Sequence, residues 1–126
     1  MKKVHLTLIL IILAITLCGC SFSSNFSFNM TEINSQNGMK ASYTRFSGNK
    51  KATFEVKSGE TKKVNVSVVT DKGELSIKIT NEDGKTFYQG DEMSTSDFDV
   101  ILDEEGKYTV NVQADKHSGS YNINWN

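Results

Sequence analysis

From Tyr43 to the end of the chain, apolar and polar side chains alternate with a period of two. Ala52, Phe54 and Val56 are separated by Thr53 and Glu55, and Val64, Val66 and Val68 by Asn65 and Ser67. Leu75, Ile77 and Ile79 alternate with Ser76 and Lys78. The rhythm continues through Phe98, Val100 and Leu102, then Tyr108, Val110, Val112 and Ala114, and closes on Tyr121, Ile123 and Trp125. Successive side chains of a strand point to opposite faces, so each run offers one apolar and one polar face, as an antiparallel sheet with one buried side requires. No window has the i, i+3, i+4, i+7 spacing of an amphipathic helix.

The alternation breaks at Ser58-Gly59, Lys72-Gly73, Asp83-Gly84, Glu105-Gly106 and Ser118-Gly119. Each pair is expected as a tight reversal, because Gly adopts positive φ freely. The pattern predicts an all-β fold, a single antiparallel β-sandwich of jelly-roll or Ig-like type with about seven or eight strands, over residues 41–126. Trp125 and Tyr121 fall on the inward register and are expected in the core. Tyr108 follows an acidic residue and a Gly at a strand start, the pattern of a tyrosine corner, in which the hydroxyl bonds to nearby backbone.

The first forty residues follow other rules. Met1-Lys2-Lys3 is basic and the stretch from Val4 to Leu17 is largely apolar, too short for the roughly 20 residues that a spanning helix needs. A positive start, a short apolar middle and small residues at the end read as a secretory signal. Leu17-Cys18-Gly19-Cys20 resembles the bacterial lipobox, which implies a signal peptide over residues 1–19, cleavage before Cys20 and a diacylglycerol thioether on its sulfur. Residues 20–40 are then expected as the lipidated Cys and a flexible tether rich in Ser and Asn. Phe22, Phe26 and Phe28 sit in it, either carried by a spacer, packed on the domain or dipping into lipid headgroups. The expected location is the extracytoplasmic face of the cell membrane, with the membrane as a partner through the anchor.

From Thr53 to Trp125 the chain resembles the bacterial pre-peptidase C-terminal domain, a small β-sandwich appended to secreted enzymes. The resemblance rests on Thr53-Phe54-Glu55-Val56-Lys57-Ser58-Gly59-Glu60 as an opening strand and turn, and on Leu75-Ser76-Ile77-Lys78-Ile79 followed by Asn81-Glu82-Asp83-Gly84-Lys85 as a central hairpin. Glu105-Gly106-Lys107-Tyr108 and Ser118-Gly119-Ser120-Tyr121 complete it. It implies substrate targeting and sometimes calcium, without the catalytic domain that the family usually serves.

The chain has 126 residues, with 14 Lys plus Arg against 15 Asp plus Glu, two Cys and no Pro. One domain fits this length, and a near-zero net charge argues against nucleic acid as a partner. Beyond the signal segment there is one His, His117, in a polar stretch expected as a solvated turn. No nucleophile, base and orienting group are spaced for acyl transfer, and the ligand set for zinc is poor, so no enzyme is expected. Seven carboxylates crowd residues 91–105. Asp91, Glu92, Asp97 and Asp99 are the candidate ligands for calcium, which takes six to eight oxygens, against a solvated acidic edge or a surface for a cationic partner. Phe87 and Tyr88 are neighbours and are expected on opposite faces, leaving one free to stack on a sugar.

These observations point to a monomeric, lipid-anchored, non-catalytic binding module for an envelope or extracellular polymer, glycan or protein. The alternatives are a structural or accessory subunit of an exported complex, or a calcium-binding β-sandwich.

Overall fold

A computed structural model describes residues 26–126. Seven strands follow in order: β1 Phe26–Phe28, β2 Thr31–Ser35, β3 Gly38–Val56, β4 Lys62–Asn81, β5 Thr86–Gly90, β6 Ser96–Leu102 and β7 Gly106–Trp125. All pairings are antiparallel. The central order is β3-β7-β4; β1 and β2 both pair with β3, and β5 and β6 both pair with β4. The expected signal peptide and Cys20 lie outside the described residues, as do Phe22 and the expected tether up to Asn25. Among the described residues no helix is long and apolar enough to cross a membrane.

Two edge strands can share one side of β3 or β4 because the three long strands are bent in the middle. Pairing slips between Tyr43 and Gly48 in β3 and between Thr70 and Glu74 in β4. Each bent strand therefore contributes its two halves to two layers. The first layer holds β2, the start of β3, the end of β7, the start of β4 and β6. The second holds the end of β3, the start of β7, the end of β4 and β5. Phe54 shows how the layers close: its ring stacks on Tyr108 at 5.6 Å and on Trp125 at 4.8 Å, so the two ends of β7 meet over one side chain. Tyr88 of β5 meets Phe98 of β6 at 5.0 Å across the same interior.

The bends carry a signature in the sequence. The inward residues of β4 are Val64, Val66 and Val68 before the bend and Leu75, Ile77 and Ile79 after it. Even numbers give way to odd, as one added residue in a bulge demands. In β7 the switch runs from Tyr108, Val110, Val112 and Ala114 to Tyr121, Ile123 and Trp125, and in β3 from Met39, Ala41 and Tyr43 to Phe46, Phe54 and Val56. Lys72-Gly73 and Ser118-Gly119, expected as reversals, are thus bends within continuous strands. A Cβ on Gly73 (φ +76°) would stand 2.0 Å from Lys116 O, and one on Gly119 (φ +144°) 1.9 Å from Val69 O. The strands cross there with no room for a side chain, and the backbone needs positive φ.

Ser58-Gly59 and Asp83-Gly84 sit between strands, and Gly106 opens β7. Glu60 N donates to Lys57 O at 3.0 Å across Ser58-Gly59, and Gly84 N to Asn81 O at 3.1 Å after Asp83. The Asn81 side chain caps that second turn, accepting from Asp83 N and Lys85 N. The expected tether needs correction over residues 26–40, which form β1, β2 and the start of β3. Alternation there is masked because an edge strand buries little: Phe26, Phe28 and Ile33 are each more than half exposed. Met39, Ala41, Tyr43, Phe46 and Met93 join the core beside the inward residues read from the alternation.

Candidate functional site

The second layer turns a continuous polar face to solvent. Register places its residues in rungs across β3, β7, β4 and β5. Lys51 faces Asn111, which faces Lys78, which faces Gln89; one step along, Thr53 faces Thr109, Thr109 faces Thr80, and Thr80 faces Thr86. Ser76 pairs with Gln113 on the next rung, and Glu55 with Lys107 beyond the threonines. These are the polar positions of the period-two pattern, held in place by the apolar ones beneath them.

Two shallow grooves lie on this face. One, of about 290 Å³, is lined by Ser76, Lys78, Gln89, Asp91, Asn111 and Gln113. The other, of about 450 Å³, lies along Thr53, Glu55, Glu82, Lys107 and Thr109. Among the described residues Asn111 Oδ1 is buried and accepts no hydrogen bond, and the Asn111 residue lines the first groove. Hydroxyl, amide and ammonium groups dominate, so the face can donate and accept hydrogen bonds along its length.

The aromatic candidates lie elsewhere. Tyr88 pairs with Ile79 and Thr86 with Thr80, so Phe87 is the extra residue of a bulge. That bulge lets both rings lean on the core, correcting the expectation that one stands free. Phe87 meets the edge of Tyr108 at 5.1 Å with Lys85 Nζ 4.8 Å above its ring. The Tyr108 hydroxyl donates to Glu104 O at 2.6 Å, and burial, followed by the charges of Glu104 and Asp103, pushes its pKa up. Trp125 is buried and donates from Nε1 to Gln36 O at 2.8 Å.

The acidic candidates do not converge. Asp97 and Asp99 lie on the outer face of β6, where the Asn65 amide donates to both, at 3.1 and 3.0 Å. Asp91 accepts from Gln89 Nε2 at 3.3 Å, and Glu92 sits at a connection with φ +48°. Among the described residues no three His, Cys, Asp or Glu side chains gather to hold a metal ion.

His117 is the feature that sequence reading misplaced. It is fully buried at the bend of β7, not solvated. Thr70 Oγ1 donates to Met93 O at 2.9 Å, so its contact with His117 Nε2 at 2.8 Å places the imidazole proton on Nε2. The Nδ1 then accepts from the Tyr43 hydroxyl at 2.5 Å. This single neutral tautomer satisfies every group in the chain Tyr43–His117–Thr70–Met93. Desolvation by burial lowers the His117 pKa against the opposing charge of Asp71, and burial raises that of Tyr43. The relay ties β3, β7, β4 and the β5–β6 connection together where their ladders slip. The phase change around it could have betrayed its burial, since His117 shares the odd register of Tyr121.

No protein-family model matches the sequence, and no curated protein matches it. Solved structures similar to the chain include the pre-peptidase C-terminal domain of a collagenase from Bacillus anthracis, at 15% identity and a TM-score of 0.45, covering 83% of this chain and 90% of that one. TmCBM61 in complex with β-1,4-galactotriose shares 14% identity at a TM-score of 0.41, over 80% of this chain and 66% of that one. The secreted serine protease VesC from Vibrio cholerae shares 10% identity at a TM-score of 0.48, and the match spans 78% of this chain but 23% of the protease.

Proposed function

We propose that the chain is a lipid-anchored, extracytoplasmic protein whose sandwich is a non-catalytic module binding a hydroxyl-rich envelope polymer, a glycan. The observation that carries the reading is the polar face of the second layer. Rungs of Lys51–Asn111–Lys78–Gln89 and Thr53–Thr109–Thr80–Thr86 repeat donors and acceptors at strand spacing on a rigid, buried-core support. Recognition there runs through hydrogen bonds, since Phe87, Tyr88, Tyr121 and Trp125 are engaged in or against the core. The lipobox residues Leu17, Cys18, Gly19 and Cys20 support the anchor.

Titrating cell-wall glycan fragments against isotope-labelled protein tests the reading. Amide shifts should cluster at Thr53, Thr80, Thr109, Asn111 and Gln113, and Asn111→Ala should weaken them. Saturating fragment with no shift on this face would sink the proposal. Mass spectrometry of the membrane-extracted protein tests the anchor separately, with a diacylglycerol-modified Cys20 expected.

A further inference from the structure

We propose that Phe26 and Phe28 contact the lipid headgroup layer and lay the β1 corner of the sandwich against the bilayer; this rests on the Cys20 anchor proposed above. Both rings are exposed, at 53% and 55%. They share one face of β1, because the residue between them, Ser27, pairs with buried Phe46 while Phe26 pairs with Ser47 and Phe28 with Arg45. Core alternation therefore turns them outward together. Two neighbouring exposed aromatics on a small domain mark a contact surface.

Chain length selects the lipid as occupant. Phe26 is the sixth residue after Cys20, a span of at most about 20 Å when fully extended. An acylated Cys20 would hold β1 within that distance of the membrane at all times, so the effective concentration of headgroups at these rings is high. Arg45, exposed and opposite Phe28, supplies a cation for headgroup phosphates, and aromatic rings beside a basic residue suit the interface.

The full acylated chain in phosphatidylethanolamine–phosphatidylglycerol vesicles tests the contact. An environment-sensitive fluorophore on Phe26→Cys, Phe28→Cys or Ile101→Cys is read against brominated lipid. Ile101 is the matched control, 56% exposed but paired with Lys63 at the far end of β4. Quenching at positions 26 and 28 should exceed that at 101 by about twofold or more, as interfacial insertion requires. Equal quenching at all three sites, with Cys20 shown by mass spectrometry to be acylated, overturns the contact and spares the anchor. An unmodified Cys20 overturns both. Energy transfer between labels at position 28 on separate copies, undiminished by dilution with lipid, overturns it in favour of a second copy on β1.

Discussion

The two ends of the sandwich solve one problem with opposite chemistry. At the open end the layers are joined by rings: Phe54 between Tyr108 and Trp125, with Phe87 against Tyr108. At the bent end they are joined by a polar relay, Tyr43–His117–Thr70–Met93, threaded between two glycines. The difference follows from the backbone. The three long strands stay in register with one another near the open end, where only β5 slips, at Phe87, so apolar burial suffices to hold the layers. Where pairing slips, backbone and side-chain polar groups need buried partners, and leaving one unmade costs more than a neutral contact contributes.

Substitution at the bent end should give the largest effect. Gly119→Ala forces a Cβ onto Val69 O at positive φ, and a loss of more than about 4 kcal/mol is expected, since backbone cannot yield as a flexible side chain can. Gly84→Ala is its counterpart in a turn: φ is also positive, but no atom lies within 4 Å of the added Cβ, so only about 1 kcal/mol should be lost. Urea unfolding of the two variants separates crowding from φ. Equal losses would show that the bend is not specially crowded. At the open end, Trp125→Ala removes the shared ring and its bond to Gln36 O. A cost of about 3–5 kcal/mol is expected.

The relay adds a pH dependence that the ring cluster lacks. Burial lowers the folded pKa of His117 below its ordinary value of 6.5, so between those two values the unfolded chain binds the extra proton. Stability is therefore intact above pH 6.5 and falls as the pH drops toward the folded pKa, at about 1.4 kcal/mol per pH unit from this group. The protonated ring would put a second donor against the Tyr43 hydroxyl and lose its acceptor. Denaturant midpoints from pH 7.5 down to 5 should decline in the native chain, and His117→Gln should flatten the decline. At the open end, Tyr108→Phe removes one hydroxyl bond to Glu104 O and should cost about 1 kcal/mol at any pH in that range.

The contrast also explains what could be read in advance. The open end was legible because Val64–Val68, Tyr108–Val112 and Tyr121–Trp125 obey a strict period of two, and Asp83-Gly84 follows an Asn able to cap its turn. The bent end was not, because Gly after Lys72 or Ser118 marks a reversal and a bulge equally well. Only the change from even to odd inward positions distinguishes them: a bulge adds one residue and carries the strand on. His117 looked solvated because its neighbours Asp115, Lys116 and Ser118 are polar, yet its own register matches Tyr121. Edge strands β1 and β2 were hidden for another reason, since exposed Phe26, Phe28 and Ile33 erase the alternation by which strands are found. The polar rungs of the second layer were visible only as the residues between the core positions; their alignment needed the pairing of four strands.

Tyr121 is where the two chemistries meet, and it should give the smallest effect with the opposite sign. It lies in the odd register beyond the bend, 6.3 Å from the Tyr43 ring, and its hydroxyl is buried with no hydrogen-bond partner among the described residues. Burial, with a smaller contribution from the charge of Glu32, pushes its pKa well up, so the phenol stays neutral and its desolvation is uncompensated. Tyr121→Phe keeps the ring and removes the orphaned group, and the change should leave the protein unchanged or more stable by up to about 1 kcal/mol. Tyr43→Phe, which deletes a hydroxyl bonded to His117 Nδ1, should cost about that amount or more. Thermal melts of the pair distinguish a relay confined to Tyr43, His117, Thr70 and Met93 from one that extends to Tyr121. A loss in Tyr121→Phe as large as that in Tyr43→Phe would mean that the polar network reaches further into the core than its hydrogen bonds indicate.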